Sequence, residues 1–387
     1  MTKKDDKKGK PLFIQHLDSF PPKPAREFLL ELGVSEQLVK TLFDENGEWK
    51  YRIEKKINPF TFQPLELQEE LVKNLKPIYD VVNYSLDSIY EFGFAKHDIY
   101  HINDVTDQVR KLLDLAGADY KTKIIGVTAA VIHDLGNILS RSYHSRLSPM
   151  LFKLTFPNFD VDVKSWFRIK KAVVYHDEPV IFEKIDSWGE IDPLKKIEYF
   201  RRKFGPEVLA LLISDKTRVN RKRLSEKNQT MKAIDEVEHY ELNLLGDTEE
   251  IRVSKNYALV KFRYNPYATE EEAKMFPGFF KKSKHFGFRA GVSKEAIELH
   301  KITTPIDNFS IWRHKFWKIY SEKTFLAIYS LFALFPFIRR VRIQMTDYIF
   351  PSSNSFEKVE YCVYPEELKE FERFIRLKYF KKEENKK

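Results

Sequence analysis

The chain has 387 residues, 43% hydrophobic and 32% charged, which excludes a disordered or low-complexity protein and leaves room for two or three domains. Its formal charge is +9, from 66 basic and 57 acidic residues. Part of the excess lies in the terminal runs MTKKDDKKGK and KYFKKEENKK, so it reads as solvated tails before it reads as a nucleic-acid surface. The lone cysteine, Cys362, excludes an intrachain disulfide framework and suits a reducing compartment. The polar, lysine-rich start has no signal-peptide pattern, and the expectation is a cytoplasmic protein.

Residues 1–20 read as a flexible lead, and 21–95 as an N-terminal helical region. There PAREFLLELGVSEQLVKTLF has helical spacing interrupted at Gly33. The Asn-Gly signal in DENGEW predicts a hairpin over 41–57. LELQEELVKNLKPIYDVVNYSLDSIYEFG predicts a helix with a break or kink near Pro77.

The pattern over 96–245 is dominantly helical. INDVTDQVRKLLDLAG sets Val105, Val109, Leu112 and Leu113 on one side and stops at a glycine. KTKIIGVTAAVIHDLG is apolar from Ile124 almost to His133, as a central buried helix would be. SWFRIKKAVVYHDEP ends at Pro179, and GPEVLALLISDKTRV runs apolar into a charged group.

Residues 246–387 read as an additional α+β region. EEIRVSKNYALVKFRYNP predicts strands or an irregular pair; VRIQMTDYIF and FEKVEYCVY predict strands; SKEAIELHKI and WRHKFWKIY predict helix; PEELKEFERFIRLKYF predicts a closing helix opened by Pro365. TFLAIYSLFALFPFI, residues 324–338, carries no charge, but it is shorter than the roughly 20 residues a membrane span needs. It predicts a buried helix and no stable membrane span. The fold class is therefore mainly α, with a C-terminal α+β region.

Polar residues recur where apolar helices begin or end. His101 opens one helix, His133 and Asp134 close another, His176 closes a third and Asp215 stands near the end of a fourth. His144 lies just before a further apolar run. Packed helices can bring such positions together, and imidazole with carboxylate is the donor set for zinc, manganese, iron or magnesium. The chain has ten histidines, and His285, His300 and His314 lack this helix-terminal placement.

The order His101, His133-Asp134, Asp215 resembles the signature of HD-domain metal-dependent phosphohydrolases, with AAVIHDLGN similar to the core motif of that family. The likeness covers residues 95–240 and implies a helical HD-domain core. LLISDKTRVNRKR resembles a variant in which the final aspartate precedes lysine and an arginine-rich segment. His144 and His176 stand where two-metal members carry extra histidines. The resemblance implies two divalent ions, of Mn, Fe, Mg or Zn. His101, His133, Asp134 and Asp215 would hold one, His144 and His176 the second, and Asp134 would bridge. His97 is a competing first ligand, disfavoured by the placement of Val105. Asn137 stands where many members have lysine, and Asp177 either orients an imidazole or faces solvent.

Such a centre would activate water for attack on a phosphate ester or anhydride of a nucleotide or other small molecule. Asp134 and Asp215 would be its catalytic carboxylates, with Asp215 in place to accept a proton. In DKTRVNRKR, Lys216, Arg218 and Arg221 would contact substrate phosphate. An HD-fold di-iron oxygenase is the alternative enzyme. A metal-stabilised nucleic-acid-binding or regulatory module is the non-catalytic one, with GFFKKSKHFGFR as its basic aromatic segment. A homo-oligomer is left open.

Overall fold

The computed structural model describes residues 24–89, 99–140, 143–178, 180–181, 192–219, 242–243, 246–264, 307–346 and 358–379. The lead over 1–20, His97, Arg221, SKEAIELHKI and the GFFKKSKHFGFR segment lie outside these residues. Helices α1 (Ala25–Glu31) and α2 (Glu36–Leu42) are separated at Gly33, and Ser35 caps α2 by accepting from Leu38 N at 3.2 Å. The hairpin expected over 41–57 contracts to one bridged pair, Phe43 and Trp49. Trp49 is the reason: its buried indole donates to Thr155 Oγ1 at 3.1 Å. The chain beyond it pairs elsewhere, with Ile53 N donating to Thr155 O at 2.7 Å and Asp160 N to Ile57 O at 2.8 Å.

Helix α3 (Pro64–Ile89) continues through Pro77 instead of breaking there. Its Tyr79 is buried and donates to Val131 O at 3.0 Å, which ties α3 to the end of the central helix. That helix is α5 (Tyr120–Ile132), capped by Asp119 and buried at every residue from Ile124 to Ile132. Full burial explains its lack of a polar face. It packs against α3, α4 (Ile99–Leu115) and α7 (Val163–Tyr175). Gly126 permits the close approach of α4, because a Cβ there would overlap the Leu113 side chain.

Around α5 stand α6 (His144–Thr155), α7 and, following α8 (Pro193–Lys203) in the chain, α9 (Pro206–Lys216). Arg168 of α7 grips Glu207 of α9 through two bonds of 2.9 and 2.8 Å and also donates to Thr122 Oγ1 of α5 at 2.8 Å. One guanidinium thus fixes three helices.

The C-terminal region carries β1 (Gly246–Val253) and β2 (Tyr257–Tyr264), then α10 (Asp307–Leu334), β3 (Arg340–Thr346), β4 (Lys358–Val363) and α11 (Leu368–Tyr379). The sheet order is β1-β2-β3-β4. The outer pairs are antiparallel, and β2 pairs β3 in parallel, Ala258 opposite Val341. The parallel pair requires a crossover, and α10 lies within that connection. The closing helix begins at Leu368 rather than at Pro365, with residues 365–367 in a turn.

Helix α10 is long enough to serve two layers. Phe316 packs on Phe262 of the sheet at 4.7 Å, whereas Tyr329 stacks on Phe200 of α8 at 6.3 Å. The charge-free stretch over 324–338 is buried from Phe325 through Leu331, as expected of a core helix. Among the described residues, no helix is long and apolar enough to cross a membrane. Buried apolar side chains from α1 to α11 form one contiguous core. The fold is mainly α with a four-stranded mixed sheet in the C-terminal region, as the sequence predicts.

One ion pair gives the sheet a pH dependence. Arg342 of β3 donates to Glu360 of β4 at 2.6 and 2.9 Å, and Gln344 and Lys358 reach the same carboxylate. The Arg342 bonds, helped by Lys358 and Gln344, outweigh desolvation and hold Glu360 down at about 2. A depressed carboxyl stabilises the fold above its unfolded pKa, and that contribution is lost as pH falls through the folded value. Thermal unfolding should therefore show wild type more stable than Glu360→Gln at about pH 6, with the gap closing toward about pH 2.

Candidate metal centre

Two helices end in the same way. His133 caps the C-terminus of α5 and His176 that of α7. The last carbonyls of a helix lack intrahelical partners, and each ring turns back to one. His133 Nδ1 donates to Ala130 O at 2.7 Å, and His176 Nδ1 donates to Val173 O. A carbonyl only accepts, so Nδ1 carries the proton and Nε2 presents its lone pair away from the helix end. His101 comes from the first turn of α4, on the buried face that continues through Val105 and Val109. His144 is the first residue of α6, and Asp215 lies in the last turn of α9.

These ends meet around Asp134, which follows His133 at the start of a 3-10 turn, Leu135–Ile138. Asp134 Oδ2 lies 3.4 Å from His101 Nε2 and 3.0 Å from His133 Nε2. Its Oδ1 lies 3.6 Å from His144 Nε2 and 3.6 Å from His176 Nε2. Asp215 Oδ1 completes the first group, 3.4 Å from His101 Nε2 and 3.8 Å from His133 Nε2. The result is two donor groups: His101, His133, Asp134 and Asp215, and Asp134, His144 and His176. Within each group the donor atoms lie within 4.8 Å of one another.

The residues fit metal ions. Donors about 2.1 Å from a shared cation stand about 3.0–3.4 Å apart at tetrahedral or octahedral angles, close to the spacings found here. Among the described residues, the buried His133 Nε2 has no hydrogen-bond partner of acceptable geometry, although Asp134 Oδ2 stands 3.0 Å away. A buried nitrogen in that state is costly in an apolar core but suits a ligand. Buried His and Asp residues here could therefore coordinate metal.

Electrostatics point the same way. Burial pushes the His133 ring down, but Asp134 and Asp215 outweigh it and raise its pKa above the ordinary value. Burial pushes the Asp215 carboxyl up, but Lys216, His101 and His133 hold it well below the usual range. The cluster attracts positive charge, whether as a proton or as a cation, so the two compete.

The remaining expected residues have definite places. Lys216 is buried; its ammonium donates to Asp215 Oδ2 at 2.7 Å and lies 3.1 Å from Glu178 Oε1. Arg218 Nη2 donates to Asp104 O of α4 at 2.9 Å. Asp177 accepts from Ser145 Oγ at 3.2 Å rather than holding an imidazole. His314 packs on Tyr379, in the C-terminal region. Sequence reasoning left three contributors without these roles. Asn137 donates to Asp134 Oδ1 at 2.8 Å, Glu178 Oε1 stands 3.1 Å from Lys216 Nζ, and Ser148 braces the turn. Glu178 follows His176 by two residues, and that adjacency was its only sequence signal.

Ser148 Oγ accepts from Gly136 N at 2.7 Å and stands 2.9 and 2.8 Å from the carbonyls of His133 and His144. It links the His133-Asp134 turn to the start of α6. Gly136 lies so close to α6 that an added Cβ would collide with the His144 backbone, including its Cα at 2.8 Å. Ser148→Ala should lower the stability of the metal-free protein by about 1–3 kcal/mol in denaturant unfolding, because it strands the Gly136 N–H. Gly136→Ala should cost more, since backbone must move.

The helical core with its buried His/Asp cluster is compatible with an HD-like fold. No protein-family model, curated protein or solved structure matches the chain.

Proposed function

We propose that this chain is a metal-dependent phosphohydrolase of the HD type, using two divalent ions on a nucleotide or other phosphate ester. The supporting observation is the division of Asp134: its two oxygens face two separate groups of imidazoles at 3.0–3.6 Å. A carboxylate can serve two cations in this way, whereas the outward nitrogen of an imidazole serves one. Bound at these donors, divalent ions would lower the pKa of water and offset charge on phosphoryl oxygens.

The protein's own contribution is to hold the donors still. His133 and His176 are fixed as Nδ1-H tautomers by their helix ends, and Asn137 steadies Asp134. Asp215 is the poorer proton store, because Lys216 keeps it ionised. It suits ligation better than general base chemistry. Arg218, anchored on α4, and Arg221 remain the proposed phosphate contacts; arginine suits that role through its paired donors.

Metal analysis of gently purified protein, joined to a phosphate-release panel of nucleotides, cyclic dinucleotides and simple diesters, tests this reading. Wild type should hold close to two ions and release phosphate or a phosphomonoester only with metal. Asp134→Ala should lose both ions and at least about 100-fold in kcat/KM. If that variant retains both metals and full activity, the bridging role is wrong. Coloured, iron-loaded protein that consumes oxygen and leaves the panel untouched would instead identify an oxygenase. Retained metal without turnover would identify a binding module.

A further inference from the structure

The two oxygens of Asp215 have different neighbours. Oδ1 faces His101 and His133, while Oδ2 accepts from Lys216 Nζ at 2.7 Å. The same ammonium lies 3.1 Å from Glu178 Oε1, and Lys323 of α10 stands 4.0 Å from that oxygen. Four alternating charges thus run from the donor group to the helix of the C-terminal region: Asp215, Lys216, Glu178, Lys323. Lys216 is buried, so water screens little of its charge. A lone ammonium against Asp215 would draw electron density from a metal ligand and oppose a cation at Oδ1.

We propose that Glu178 is a positioning residue that takes up the Lys216 ammonium and keeps Asp215 Oδ1 a strong metal donor, while Lys323 competes for Glu178 and so lets α10 tune metal affinity. This inference rests on the metal reading above. The geometry is consistent with it: Glu178 Oε1 lies 3.1 Å from the Lys216 ammonium and 4.0 Å from that of Lys323. Placement is consistent too, because Glu178 follows His176, the C-cap of α7, by two residues.

The charge chain gives opposite signs at its two outer members. Glu178→Gln leaves Lys216 bearing on Asp215 alone and weakens binding. Lys323→Gln gives Glu178 wholly to Lys216 and tightens it. A merely structural role would give losses at both. In Glu178→Gln/Lys216→Met the burden on Asp215 is gone, so affinity recovers relative to the single variant.

Metal-free full-length protein is titrated with Mn(II), and free Mn(II) is read by electron paramagnetic resonance. The expected results are affinity about 10–100-fold weaker for Glu178→Gln, a few-fold tighter for Lys323→Gln, and most of the loss regained in the double variant. Unchanged binding in either single variant, weaker binding in Lys323→Gln, or a double variant no better than Glu178→Gln would overturn the proposal. Wild type that takes up no Mn(II) would overturn the metal reading and this inference with it. Wild type that binds while all variants match it would overturn this inference alone. Thermal unfolding of each metal-free variant checks folding. Should Glu178→Gln not fold, Lys323→Gln decides by its sign, since that side chain is 27% exposed and its loss spares the core.

Discussion

A buried carboxylate with its oxygens turned to opposite sides is the constraint on which the centre depends. Asp134 is 2% exposed, and an ionised carboxylate so placed is expensive unless something answers its charge. Asn137 supplies one hydrogen bond, and four imidazoles point their Nε2 atoms at the two oxygens. Imidazoles in their neutral form cannot by themselves cancel that charge. The arrangement is reasonable only with protons or cations present, and the second carboxylate, Asp215, strengthens that demand.

The fold meets this demand through helix termini rather than helix middles. Helix α5 is apolar along its length and α7 along its buried face, and both turn polar at their C-caps, where carbonyls need donors. A histidine satisfies one carbonyl with Nδ1 and keeps Nε2 for the centre. Capping and metal ligation would therefore use one residue without competing. The pieces around the turn are held by short, buried contacts. Gly136 admits α6, Ser148 ties the turn to it, and Tyr79 closes the end of α5 from α3. Rigid ends matter because ligand spacing tolerates little error.

Much of this was legible in the sequence, because an apolar run that stops at His-Asp marks a helix end inside a core. His133, Asp134, His176 and Asp215 announce themselves that way, His101 and His144 stand where helices begin, and all six meet. Lys216 was less legible. A lysine beside arginines reads as a phosphate surface, since charge is visible in sequence and burial is not. Glu178 was hidden for the same reason. The helix Pro193–Lys203 gave a weak signal, because few of its residues are apolar and its Lys196 is itself buried. Pro77 suggested a break or kink, and α3 runs through it without a break, since one lost backbone bond is small beside the packing of Leu75, Ile78 and Tyr79. The parallel pairing of β2 and β3 depends on a crossover, and local pattern carries no information about it.

The C-terminal region is more than an appendage, because α10 ties it to the helical core. A helix of 28 residues extends about 42 Å, farther than its small sheet requires. Its first half fills the sheet face with Phe309, Trp312 and Phe316, and its second half packs against α8 and α9. Lys196 of α8, Tyr329 of α10 and Glu372 of α11 meet in a buried polar junction, where Tyr329 donates to Glu372 at 2.5 Å. Such a junction is costly to pull apart, because separation would leave charged groups unpaired. Helix α10 is therefore held in register with the helices that carry the centre. From that register it presents Lys323 to Glu178, and Glu178 sits between this helix and the Lys216-Asp215 pair. A chain of alternating charges thereby runs from the C-terminal region to the buried His/Asp cluster.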